Sequence, residues 1–191
     1  MGDYSFVAGF NAKAAHTGAF VWADAYGTEF VSTAGNQFSV RASGGTRIYS
    51  NVSLTAGVTL AAGGSSWSAV SDRNMKENFQ TIDGEKLLKN LGSIPILTWN
   101  YKAQDKSIRH IGPMAQDFYA AFNVGEDDTH ITTIDADGVA LAAIQALIKQ
   151  NEQLSTRLIK MEATIKSLVE NANSNTANKS LGEVKQTDVN H

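Results

Sequence analysis

Apolar positions along the chain change their period between its two ends. Over the first seventy residues they alternate with small or polar ones in short runs bounded by glycine. Ser5-Phe6-Val7-Ala8 recurs fourteen positions later as Ala19-Phe20-Val21-Trp22, with the alternating Asn11-Ala12-Lys13-Ala14-Ala15 between them. Gln37 to Ala42 alternates, stops at Gly44-Gly45, and is followed by Arg47-Ile48-Tyr49-Ser50. Val52 to Leu60 alternates again and predicts a last strand. Ala61 to Ser66 then reads as a flexible approach, and Trp67 as a packing anchor. A period of two broken by glycine turns predicts short strands. Each strand carries little apolar mass, so such a segment gains a core by stacking coils or by packing identical chains.

From Val139 the period becomes helical. Ile144, Asn151, Leu158 and Ile165 fall at heptad position a, and Leu147, Leu154, Met161 and Leu168 at d. Seven of these eight are apolar, with no glycine or proline inside the run, which predicts a coiled coil. The polar a residue, Asn151, is of the kind that fixes register and oligomer number. The alternative is one amphipathic helix packed on its own domain. Asp135-Ala136-Asp137-Gly138 offers a capping carboxylate just before the run. Its partial match to a calcium loop lacks the later acidic residue, so no metal is expected. Between the two ends, Glu85 to Leu91 reads as a short helix stopped by Gly92, Ile96 to Tyr101 as a strand, and Gly112-Pro113 as a turn opening a helix over 114–122.

Composition shifts where the period does. Residues 1–70 hold ten of the sixteen glycines, no proline and six charged side chains; both prolines and twenty-nine charges follow. The expected organisation is a β-structured fibre or head segment at 1–70, a small mixed α/β domain at 71–138, a coil at 139–170 and a disordered tail at 171–191. The fold class is α+β. The Ala/Gly/Ser pattern of residues 2–24 resembles the head repeats of trimeric autotransporter adhesins, which form β-rolls about a threefold axis; the plainer reading is a glycine-rich β-segment of no defined family. A net charge of −3 without a basic cluster gives no support to nucleic-acid binding. No apolar run approaches the roughly 20 residues that span a bilayer, and Met1-Gly2-Asp3-Tyr4 has neither a basic leader nor an apolar signal core. The chain is therefore either made without export or a fragment lacking its leader. Without cysteine, disulfide and thiol chemistry are excluded.

The compositional boundary holds Ser71-Asp72-Arg73-Asn74-Met75-Lys76-Glu77-Asn78-Phe79. A serine with a lysine five residues on, at such a boundary, points to a chain that cuts itself. The order of motifs after it is Ser71-Asp72 with Lys76, a Leu-Leu helix, Trp99-x-Tyr101, then Arg109-His110-Ile111-Gly112-Pro113-Met114-Ala115-Gln116-Asp117, then a coil. Over residues 71–170 this order resembles the peptidase S74 family, the C-terminal intramolecular chaperone domains of phage endosialidase tailspikes and tail fibres. The sequence departs from the family at Met75, where leucine is common, and at Pro113-Met114, where an aromatic–aliphatic pair is common. The resemblance implies a homotrimer that helps an upstream β-fibre fold and then releases itself, in a virion tail fibre or on a bacterial surface, without cofactor.

Ring size selects the bond. Attack by Ser71 Oγ on the Val70 carbonyl closes a five-membered ring and allows an N→O acyl shift, whereas attack on its own carbonyl needs a strained four-membered ring. Lys76 is the expected base, and a lysine with a reference pKa near 10.4 is neutral only about once in a few thousand at pH 7, so burial or nearby positive charge must activate it. Five residues turn about 140° on a helix, so the pair must meet through a turn, a strand end or between chains. Asp72 either orients the junction or Lys76, or caps the next helix. His110 either aids proton transfer or is a hydrogen-bonded structural residue. Arg109 is expected to pair with a carboxylate. The rival to self-cleavage is a permanent structural trimerisation module.

Overall fold

A computed structural model describes the backbone of residues 1–187 and the side chains of residues 1–174. The molecule is mixed α and β, with small sheets and a long C-terminal helix. It divides into two compact units, Met1–Phe79 and a second that begins at Gln80.

The first unit opens with five short strands: β1 (Phe6–Gly9), β2 (Ala12–Lys13), β3 (Phe20–Ala23), β4 (Phe30–Val31) and β5 (Phe38–Arg41). β1, β3 and β5 form one parallel ladder, and β2 and β4 another. The fourteen-residue repeat is a pairing register, with Phe6 opposite Phe20, and Phe20 in turn opposite Phe38. Strand alternation sends Val21 and Ala23 inward, where Ala14, Ala19, Val7, Ala12 and Phe30 complete a small core. The other face stacks the rings of Phe6, Phe20 and Phe38 at 4.7 Å between successive centroids, the spacing of neighbouring strands. Gly9 ends β1 at φ +96°, where a Cβ would lie 1.7 Å from the Ala23 carbonyl oxygen; only glycine lets the coils approach there. Arg41 ties the coils laterally, its Nε donating to Asp24 Oδ1 at 3.1 Å and a terminal nitrogen to the Phe10 carbonyl at 3.2 Å.

An antiparallel sheet follows: β6 (Thr46–Tyr49), β7 (Gly57–Leu60) and β8 (Trp67–Ala69). Two expectations change here. The strand expected over 52–60 begins only at Gly57, because Asn51 Oδ1 accepts from the backbone of Thr55 and Ala56, both at 3.0 Å, and holds 51–56 in a turn. Trp67 is no packing anchor: it opens β8 and is 52 % exposed.

In the second unit, α1 (Gly84–Ser93) starts at Asp83, whose Oδ1 accepts from Glu85 N and Lys86 N at 3.0 and 3.1 Å. Gly92 does not stop it; the helix runs one residue further. β9 (Leu97–Trp99) and β10 (His110–Gly112) pair antiparallel with Trp99 opposite His110. α2 (Ala115–Phe122) ends at Asn123 in the left-handed region, φ 51°. The longest helix, α3 (Thr133–Thr187), begins earlier than the capping motif suggested. Its cap is Thr132, whose Oγ1 accepts from Asp135 N at 3.1 Å and donates to the Asp135 carboxylate at 2.7 Å, so Asp135 lies in the first turn. At its other end the backbone is helical to Thr187; residues 188–191, the end of the expected tail, lie outside the described residues.

Leu87 of α1, Phe118 of α2 and Ala143 of α3 are buried in this unit, and Asn90 Nδ2 donates to the Ala121 carbonyl at 2.6 Å to tie α1 to α2. α1 lies against α3 so closely that a Cβ at Gly84 would sit 2.8 Å from Ala146 Cβ. α3 thus packs in its own chain through small residues beside the heptad seam. The seven apolar seam residues remain 48–62 % exposed.

Candidate functional site

The candidate site grows from the end of β8. Val70 still belongs to the sheet edge, its N–H donating to the Gly57 carbonyl at 3.4 Å. Asp72 then turns the chain. Its Oδ1 accepts from Asn74 N at 2.9 Å and from Asn74 Nδ2 at 3.1 Å, capping a 3₁₀ turn over Arg73–Met75. The turn closes with Met75 N on the Asp72 carbonyl and Lys76 N on the Arg73 carbonyl, at 3.1 and 3.2 Å. Lys76 leaves in an extended conformation. Its side chain reaches back so that Nζ donates to Ser71 Oγ at 2.8 Å.

The pair therefore meets within one chain and around a turn, one of the arrangements that the helix geometry left open. Asp72 takes the capping role. Asn74, which sequence reasoning had not singled out, shares that cap; the Asp-x-Asn spelling of an Asx turn was its available signal. Arg73 places its guanidinium 5.6 Å from the centre of the Phe79 ring. Ser71, Lys76 and their immediate neighbours are exposed in the single chain.

His110 sits elsewhere, in β10 of the second unit. Its Nε2 lies 2.8 Å from Gln104 Oε1. The ring lies 4.8 Å from Trp99 and 5.3 Å from Tyr101, centroid to centroid. Trp99 Nε1 is buried without a hydrogen-bond partner among the described residues. Among the described residues Arg109 meets no carboxylate: it donates to Thr98 Oγ1 at 2.8 Å and Asn100 Oδ1 at 3.3 Å, bracing β9 against β10. A groove of about 620 Å³ in the second unit, lined by Leu87, Phe122, Ile134 and Val139 with Asp83 and Lys86, has no serine, threonine, cysteine or histidine in its lining. Among the described residues no helix is long and apolar enough to cross a membrane.

Comparison with known proteins adds one result. No curated protein matches the chain. The match to a family ends at residue 124, before α3, and so is shorter than the span over which the motif order extends. Residues 71–124 match the peptidase S74 family, the chaperone of endosialidase, and the match opens on Ser71 itself.

Proposed function

We propose that this chain is an intramolecular chaperone which assembles as a homotrimer through α3, assists an upstream β-fibre to fold, and frees itself by cutting the Val70–Ser71 bond. The observation that carries the reading is the 2.8 Å contact between Lys76 Nζ and Ser71 Oγ at the first residue of the family match. The exposed heptad seam supports the trimer, since an apolar stripe of that length is covered in coiled coils by further helices. The stacked parallel strands of the first unit fit a client built of repeated β-coils.

The chemistry balances on these residues. A neutral Lys76 accepts the Ser71 hydroxyl proton as Oγ bonds to the Val70 carbonyl carbon. The Val70–Ser71 C–N bond then breaks, the Ser71 amine leaves with that proton, and an ester joins Val70 to Ser71 Oγ. Water hydrolyses the ester, giving a carboxylate at Val70 and a free N-terminal Ser71. Lys76 in the single chain is an exposed donor, so activation awaits the burial that assembly would bring. Cleavage then follows folding and serves as a checkpoint. The home of such a protein is a virion tail fibre or a bacterial surface.

The same exposure favours a second reading, a permanent structural trimerisation module in which the pair never activates. Intact mass separates the two. Cleavage gives fragments of 70 and 121 residues, and Ser71→Ala and Lys76→Ala each leave a full-length chain. A wild-type chain that stays whole while forming a stable trimer refutes the self-cutting reading and leaves the module.

A further inference from the structure

The ester step of the proposed cut leaves a choice of acceptor. By the time Val70 is joined to Ser71 Oγ, Lys76 has passed the hydroxyl proton to the departing Ser71 amine. Its side chain is then a neutral primary amine. In the uncut chain its Nζ lies 2.8 Å from Ser71 Oγ, the oxygen that becomes the ester oxygen. The acyl carbon is one bond from that oxygen, so the amine is within reach of a near-attack separation, roughly 3–3.5 Å.

The hydrogen bonds that hold this arrangement lie outside the bond that breaks. On the acyl side, Val70 N–H donates to the Gly57 carbonyl at 3.4 Å and ties the residue to the sheet edge. On the other side, Asp72 Oδ1 accepts from Asn74 N, while Met75 N and Lys76 N donate to the Asp72 and Arg73 carbonyls, all beyond Ser71. Scission of the Val70–Ser71 amide thus leaves acyl group and amine facing each other. Water is the weaker competitor for two reasons. An amine is the better nucleophile toward an ester, and a well-aligned tethered one acts at an effective concentration on the order of 10⁵ M or more. A site buried enough to hold Lys76 neutral is also one from which water is excluded. The freed Ser71 amine only restores the starting amide, through the five-membered ring by which it left.

We propose that Lys76 captures part of the ester, which makes the chain an acyl transferase toward its own lysine as well as a self-cutting one. The Nζ lone pair bonds to the Val70 carbonyl carbon, the bond from that carbon to Ser71 Oγ breaks, and a proton passes from Nζ to Oγ. The product is an isopeptide between Val70 and Lys76, with Ser71 to Met75 left as a five-residue branch that ends in a free amine. No water is consumed, so the product is an isomer of the starting chain. Such copies keep the upstream β-structure covalently bound to the domain that hydrolysis releases. The proposal rests on the self-cutting reading and adds a second fate for its intermediate.

The test lets the full wild-type chain react until the 70- and 121-residue fragments stop increasing, then isolates the material of unchanged mass. Trypsin cuts a linear chain into Ile48–Arg73, Asn74–Lys76 and Glu77–Lys86 across this region. The branched chain gives Ile48–Val70 joined through Lys76 to Asn74–Lys86, and the free tripeptide Ser71-Asp72-Arg73. Mass spectrometry is expected to find the joined peptide in the wild-type chain and its complete loss in Ser71→Ala. A parallel reaction with hydroxylamine traps the ester as a hydroxamate at Val70, whether or not Lys76 takes part. Fragments and hydroxamate without the joined peptide overturn capture by Lys76 and leave the self-cutting reading standing. A chain that yields no fragments, no hydroxamate and no joined peptide overturns that reading and the capture with it.

Discussion

At the scale of single residues, the chain uses short side-chain-to-backbone bonds where its cores are thin. Asp72 is the example at the candidate site: one carboxylate oxygen receives two donors from Asn74 and so bends the chain enough to bring Lys76 back to Ser71. Asp24 does similar work in the first unit. The hydroxyl and the backbone N–H of Ser43, with Arg41 behind them, hold its carboxyl down to about 2. A carboxylate whose pKa is lower when folded stabilises the fold above its unfolded pKa, about 3.9, and loses that contribution as the pH falls toward 2. Asp24→Ala is therefore expected to be less stable than wild type at pH 6, with the gap closing as both are taken to about pH 2. Denaturant midpoints followed by tryptophan fluorescence across that range measure the gap. A gap that persists undiminished at the acid end means the ionised carboxylate is not its source.

At the scale of elements, α1 offers a paired comparison. Gly84 and Gly92 lie at its two ends, and of the two only Gly84 is crowded: a Cβ there would sit 2.8 Å from Ala146 Cβ, while a Cβ at Gly92 would meet nothing within 4 Å beyond its own helix. Gly84→Ala should cost about 1–3 kcal/mol through overpacking, and Gly92→Ala should gain about 0.4–1 kcal/mol by restricting the unfolded chain. Opposite shifts of the thermal midpoint are the expected result; shifts of the same sign would mean that α1 and α3 do not pack so closely. The sequence told these glycines apart poorly, because a close approach is a tertiary fact. It made a stop of Gly92, which the helix passes through. What it showed well was local and periodic: the fourteen-residue echo that became the Phe6–Phe20 register, the helical period of α3, and the helix α2 after Pro113, although Gly112 ends strand β10 rather than forming a turn. It misplaced the start of α3 because two aspartates resemble caps as closely as Thr132 does. It misjudged Arg109 because strand pairing put Thr98 and Asn100 within its reach before any carboxylate.

At the scale of the whole molecule, the site and the seam set different requirements on the proposed cleavage. Ser71 and Lys76 come from one chain and already touch, so nothing in their geometry demands a second copy. In the single chain both groups face solvent. Each tenfold increase in the neutral fraction of a lysine corresponds to one unit of lowered pKa, and burial among assembled chains can supply one or two such steps. Cleavage should thus depend on association even though its residues do not cross between chains. Leu158→Asp tests this, because Leu158 is 58 % exposed in the single chain and lies at an a position of the seam. The substitution should leave the helical content of the monomer unchanged, prevent association, and slow the appearance of the 70- and 121-residue fragments by about tenfold to a hundredfold. Diluting the wild-type chain below its association range should slow it likewise, while above that range the first-order rate becomes independent of concentration. If Leu158→Asp stays monomeric and yet cuts at the wild-type rate, assembly does not license the cut, and the turn at Asp72 suffices by itself.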